Sequence, residues 1–208
     1  MSELAKNNKM MQVLDWAYDK SLNGLPGTLS AEELGDSYLN KNGGIAIKAC
    51  DSLVNWQVGK CATSGFLTGL GGIITLPVAI PANISSVIYV QMRMIAAVAH
   101  IGGYDINDDK VKTLVYMCLT GNAAVDMAKD CGIKIGVKLT QSAIQKISFE
   151  TIKRINKAVG FRLITKFGEK GIFNLGKAIP VIGGIIGGGV DLASTKVIGK
   201  ISKKVFVN

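Results

Sequence analysis

The stretch CATSGFLTGLGGIITLPVAIPANISSVIYVQM, residues 61–92, decides how this chain is read. Its 32 residues carry no charge. About 20 apolar residues cross the hydrocarbon core of a bilayer as a helix, so length alone permits a crossing. The composition argues against one continuous span. Gly65, Gly69, Gly71 and Gly72 crowd the first half, and Pro77 and Pro81 break the middle. Proline removes a helical donor and clashes with the preceding turn. The expectation is two apolar helical pieces meeting at a proline-marked bend. A second uncharged run, AIPVIGGIIGGGV at residues 178–190, repeats the theme. These two segments either form the core of a helical domain or enter a membrane, and both readings stay open.

Around these runs nearly everything has helical spacing. Met10, Val13, Leu14 and Ala17 predict an amphipathic helix over residues 3–22, ended by Gly24, Pro26 and Gly27. Ser30 followed by Glu33 is a capping box, in which hydroxyl and carboxylate satisfy free N–H groups reciprocally. That helix runs to about Leu39, and residues 40–44 form a turn. Residues 45–60 read as the next helix, with Leu53, Val54 and Val58 on one face. Pro81 suits the first position of a helix reaching His100 or Ile101, stopped by Gly102 and Gly103.

Further along, Asn107 or Asp108 caps a helix with Val111, Leu114, Val115, Cys118 and Leu119 on its apolar face. Gly121 interrupts it and Gly132 closes it. Ile144, Ile147, Ile152, Ile155 and Val159 form a stripe opposite Lys146, Glu150, Lys153 and Lys157. A basic, aromatic segment covers residues 161–173, and Pro180 precedes a final apolar helix. Only IKIGVKL, residues 133–139, reads as a strand, and it has no partner. The expected fold is therefore all-α: about eight helices in one domain with a glycine-rich apolar central helix pair. Residues 1–44 are read as a helical extension and residues 45–208 as the main domain.

Charge is unevenly placed along the chain. The net value of +9 divides into 9 Lys/Arg against 11 Asp/Glu over residues 1–128, and 15 against 4 over residues 129–208. A basic half beside apolar, glycine-rich segments suits an anionic surface, which attracts basic residues at roughly 1 kcal/mol each. Lys153, Lys157, Lys166 and Lys170 are the candidates for that contact. A solvated face with no partner has the same composition. Nucleic acid would use the same charges, but Phe161, Phe167 and Phe173 at six-residue spacing read as core rather than as a stacking platform.

The hydrophobic fraction of 48 % is at the upper end of the ordinary range for a soluble globule, and the mean hydropathy of +0.31 is high for one. Cys50, Cys61, Cys118 and Cys131 form no paired motif and stand at no metal-ligand spacing from a histidine. They read as small core residues of a reducing compartment. The first 20 residues hold no continuous apolar run of the signal-peptide kind. The expected place is the cytoplasm, peripheral to the inner membrane.

Gly183/Gly187, Gly184/Gly188 and Gly65/Gly69 have the spacing that lets helix backbones approach closely, in lipid or in a protein core. Asn83, Gln91, Arg93, Asp126 and Asp191 are polar residues set in apolar segments, and so are candidates for buried polar or ligand contacts. Arg93 is the sharpest of them. A buried guanidinium needs a carboxylate or several carbonyls around it, and Asp126 and Asp191 are the expected partners. His100 is the single histidine, at a helix end. No nucleophile elbow, zinc-protease helix, phosphate-binding loop or dinucleotide fingerprint occurs. The residues imply no catalytic set, no metal and no cofactor.

The pieces GFLTGLGGIITLPVAIPANI (residues 65–84), YVQMRMIAAVAHIGGYD (89–105), GIKIG (132–136), INKAVGFRLITKFGEKGI (155–172) and KAIPVIGGIIGGGVD (177–191) follow one another in an order that resembles the EcsC family. The resemblance implies a predominantly helical bacterial protein, named for an operon shared with an ABC transporter. It carries over no catalytic residue. Residues 180–191 are also similar to the proline- and glycine-rich end of membrane-associated helical domains fused to some Era-like GTPases. The leading expectation is a non-enzymatic protein at the cytoplasmic membrane face, serving a transporter and binding an anionic surface or a membrane protein. A soluble helical carrier for an apolar small molecule is the alternative. A hydrolase using a cysteine and His100 is a second alternative.

Overall fold

The computed structural model describes residues 2–61, 82–136, 138–167 and 184–208, with side chains described except at 60, 61, 82, 83 and 184–192. Among these residues there are nine helices and no strand. They are α1 (Glu3–Asn23), α2 (Ala31–Lys41), α3 (Ala46–Cys61), α4 (Ala82–Ile101), α5 (Asp109–Cys118), α6 (Ala123–Asp130), α7 (Gln141–Gln145), α8 (Phe149–Phe167) and α9 (Gly184–Phe206). The expected all-α class is the observed one. The segment 133–139, read as a strand, is irregular where described. The proline-marked bend and Gly65, Gly69, Gly183 and Lys170 lie outside the described residues.

Local chemistry sets the helix starts. Ser30 accepts from the Glu33 amide at 3.1 Å while Glu33 accepts from the Ser30 amide at 2.8 Å, which completes the expected capping box of α2. Asp108 caps α5 by accepting from the amides of Lys110 at 2.7 Å and Val111 at 3.3 Å. Gln145 adds a side-chain hydrogen bond at 2.6 Å. Burial alone would raise the Asp108 carboxyl, but the Gln145 bond and the two amides outweigh it and hold the pKa below its usual value. The stabilisation from Asp108 is therefore complete above the unfolded carboxyl pKa of about 4 and is lost as pH falls through the lower folded value. Asp108→Ala should cost about 1 kcal/mol at neutral pH, and the gap to wild type in urea melts should close in strong acid.

Gly103 and Gly121 sit at φ +86° and +64°. Both angles favour glycine, and they end α4 and separate α5 from α6. The stripe from Ile144 onward is divided between two helices. Thr140 caps the short α7, and Ser148 accepts from the Thr151 amide at 3.2 Å to open α8.

Helix α4 is the axis of the bundle. It packs against α1, α2, α3, α5 and α9, while α8 covers α1 and α5. Met92, Met94, Ile95, Ala96, Ala97, Val98 and Ala99 of α4 are fully buried. A helix apolar on all sides belongs inside a core or a membrane. Ile84–Ile101 has the length and hydropathy (1.4) for a span, yet 89 % of it is buried inside the bundle. This part of the uncharged run is thus the central core helix. α1 and α2 contribute Met10, Val13, Leu14 and Leu34 to the same core cluster as α3, α4 and α9. The expected boundary at residue 44 falls in the turn between α2 and α3, and the helices on both sides feed one core.

Close crossings use single glycines. A Cβ added at Gly199 of α9 would meet the Val54 side chain of α3 at 2.5 Å. One at Gly160 of α8 would meet Asn7 of α1 at 2.6 Å, and one at Gly35 of α2 would meet the His100 ring at 2.8 Å. Gly199→Leu would force α9 away from α3, and overpacking of this kind costs about 1–3 kcal/mol. A melting temperature equal to wild type would show that the crossing is not tight. Of the glycines expected to mediate packing, Gly184, Gly187 and Gly188 lie in the α9 backbone, with surroundings outside the described residues.

Candidate functional site: a basic outer face and a buried polar stripe

Helix α8 has two unlike sides. Ile155, Val159, Gly160, Leu163 and Ile164 are buried against the bundle. Lys153, Arg154, Lys157, Arg162 and Lys166 are all exposed, and Glu150 is the one acidic residue of the helix. Two of the five cations make hydrogen bonds. Arg154 donates to the Asp130 carbonyl and to Cys131 Sγ, tying α8 to the end of α6. Lys166 donates to Ser194 Oγ at 2.8 Å and lies over the Phe167 ring. Lys153, Lys157 and Arg162 remain as outward charge. At the start of α8, Phe149 is 63 % exposed, with Lys153 Nζ 4.3 Å from its ring centroid. An exposed aromatic beside a lysine with an apolar stem can sit at an apolar–polar boundary. Lys153, Lys157 and Lys166 of the four expected cations are therefore on the surface.

Beneath Phe149, a cleft of about 210 Å³ runs between α1, α5 and α8, with Asp15, Lys112, Tyr116 and Asn156 in its wall. Asp15 Oδ1 accepts from Tyr116 Oη at 2.9 Å and pairs with Lys112 at 2.7 Å. Burial and the Asp15 carboxylate push the Tyr116 phenol up. That hydroxyl is a fixed donor at neutral pH, unsuited to act as a base.

The second polar feature runs along α4. Gln91, 1 % exposed, donates to Thr195 Oγ1 at 3.0 Å and ties α4 to α9. On another face, Tyr89 and Arg93 stand one turn apart. Tyr89 Oη is 2.9 Å from Thr28 Oγ1. Arg93, 6 % exposed, donates through Nη1 to the Leu29 carbonyl at 3.0 Å and lies 3.4 Å from Tyr89 Oη. Arg93 is buried as expected, but its partners are a carbonyl and a phenol. Asp126, an expected partner, is exposed on α6. The Asp191 and Asn83 side chains lie outside the described residues. The connector between α1 and α2 reaches Arg93 across 64 positions of sequence, and no local signal announces that contact.

His100 Nε2 is 2.7 Å from Asp36 Oδ1, so the histidine is paired with a carboxylate rather than with a thiol. Burial pushes the Cys50 thiol up to about 12 against the opposing Lys203, and the Cys118 thiol up to about 12 against a hydrogen bond from Ser202. Neither is a thiolate at neutral pH, and only the thiolate is nucleophilic. Among the described residues no group of three His, Cys, Asp or Glu side chains could hold a metal.

No curated protein matches the chain, and no solved structure does. The sequence model of the EcsC protein family matches residues 8–207, nearly all of it. That span includes the central helix, the basic α8 and both uncharged runs, and the chain therefore belongs to the EcsC protein family.

Proposed function

We propose that this protein is a non-enzymatic helical module that docks on an anionic membrane surface at the cytoplasmic face, through the outer side of α8, as an accessory to a transporter. The carrying observation is the conjunction on one helix of the exposed cations Lys153, Lys157 and Arg162 with the exposed Phe149. Each basic residue gains about 1 kcal/mol near an anionic leaflet. A single buried aromatic adds an apolar contribution of about 1.5–3 kcal/mol. Two weak signals on one helix suffice for attachment. The uncharged run at residues 178–190 lies within the basic half of the sequence. The raised pKa values of Cys50 and Cys118 and the pairing of His100 with Asp36 support the non-enzymatic part of the reading.

Co-sedimentation with vesicles tests this reading. Binding is expected to vesicles of mixed phosphatidylglycerol and phosphatidylcholine, and to be far weaker on phosphatidylcholine alone. Equal binding to both, or none to either at low salt, would refute the docking surface. Preferential capture of duplex DNA over anionic vesicles would assign the same cations to nucleic acid.

A further inference from the structure

We propose that Arg93 is the receptor for an oxyanion, a phosphate or carboxylate group that enters beside Tyr89. This goes beyond membrane docking through α8 and does not depend on it. Arg93 is 6 % exposed and sits on a helix whose neighbouring residues Met92, Met94 and Ile95 are fully buried. A guanidinium cannot shed its charge by losing a proton at any pH a folded protein meets. Its burial therefore calls for a negative partner. Among the described residues no carboxylate pairs with it, and its described partners are neutral: the Leu29 carbonyl and Tyr89 Oη, both at Nη1. Among the described residues, Nε is buried with no hydrogen-bond partner, and no bond to Nη2 occurs.

The groups without a partner among the described residues are thus Nε and Nη2, which lie on one edge of the planar fork. That edge presents two parallel N–H donors spaced to bind two oxygens of one carboxylate or phosphate. The remaining environment suits the same group. Tyr89 Oη is shared between Thr28 Oγ1 at 2.9 Å and Arg93 Nη1 at 3.4 Å, so a rotatable hydroxyl stands beside the fork. The guanidinium carbon also lies 5.3 Å from the Tyr89 ring centroid, within cation–π range. The recognised chemistry is the oxyanion itself, carried either by a free anion or by the headgroup of a lipid.

The test is thermal melting of the full chain, titrated with inorganic phosphate and with short-chain dihexanoyl phosphatidic acid below its micelle concentration. Sodium chloride at equal ionic strength is the reference. Phosphate also stabilises proteins by exclusion from their surface, so the comparison among variants carries the result. Wild type should melt higher with either probe in a saturable way. Arg93→Lys keeps the charge but loses the paired donors, and should weaken the apparent affinity at least about tenfold. Arg93→Met should abolish the saturable response, and without ligand should melt no lower than wild type, because an unpartnered buried charge has been removed. The double variant Lys153→Gln/Lys157→Gln should keep the full response to phosphate. A much stronger effect of the lipid than of inorganic phosphate would identify a headgroup as the source; equal effects would identify a free anion. The proposal fails if wild type responds no more than it does to chloride, or if Arg93→Lys titrates as wild type does. It fails equally if the Lys153/Lys157 variant loses the response.

Discussion

Replacing Lys153, Lys157 and Arg162 together with glutamine is expected to weaken binding to anionic vesicles about a hundredfold. The size follows from roughly 1 kcal/mol for each basic residue near an anionic leaflet and about 1.4 kcal/mol for each factor of ten in affinity. All three side chains are exposed on α8, so the change should leave folding alone. Exposed substitutions of this kind shift stability by about 0.5 kcal/mol or less. Arg154 is left in place because it binds the Asp130 carbonyl and Cys131. Lys166 stays because it reaches Ser194 on α9. Removing either would mix a packing effect with an electrostatic one. Vesicle co-sedimentation at low salt gives the affinity, and a melting curve checks the fold. A triple variant that binds as tightly as wild type would place the contact elsewhere on the molecule.

The largest stability effect is expected at the end of α9. Phe206→Ala should cost about 3–5 kcal/mol, since the truncated ring leaves both a transfer loss and a cavity. Phe206 is fully buried at the end of α9, with its ring 5.3 Å from Tyr104 at 65°. The chain is tight around it: the Leu139 amide donates to the Val205 carbonyl at 3.1 Å, and a side chain at Gly102 would strike the Phe206 carbonyl. Phe206 therefore holds together the turn after α4, the segment before α7 and the end of α9. Against a typical total of about 5–15 kcal/mol, this loss removes a large share of the stability. Urea unfolding measures it directly. A change below about 1 kcal/mol would mean that the site collapses around the gap and that α9 is not anchored there.

What the sequence discloses divides by range of interaction. The starts of α2 and α5 were legible because the Ser30/Glu33 and Asp108 caps act within three residues. The apolar stripes were legible because helical spacing repeats whatever the helix packs against. The break between α7 and α8 was not, since Ser148 acts as a cap inside an otherwise continuous stripe. Long-range matters were hidden. Gly35, Gly160 and Gly199 sit at crossings, but nothing in their neighbourhoods says which helix arrives there. Motif spacing pointed instead to glycines in the uncharged runs. Arg93 was recognisable as a buried cation from its apolar flanks. Its partners were not, because Leu29 belongs to a connector 64 positions away. Asp126 looked like a partner by its apolar neighbours, yet it occupies the outer side of the short α6. The basic side of α8 was visible as charge, whereas the engagement of Arg154 and Lys166 needed three dimensions.

The most direct test of docking through α8 is the fluorescence of Phe149→Trp with brominated anionic vesicles. Bromine on the acyl chains quenches a tryptophan only on close approach. Phe149 is 63 % exposed where α8 begins. The native Trp16 and Trp56 contribute equally to the variant and to wild type. At low salt the variant should show additional quenching over wild type. That excess should disappear near 1 M salt, where the Debye length falls to about 3 Å. A variant that binds these vesicles with no quenching beyond wild type would contradict the account, because the start of α8 would then not meet the bilayer.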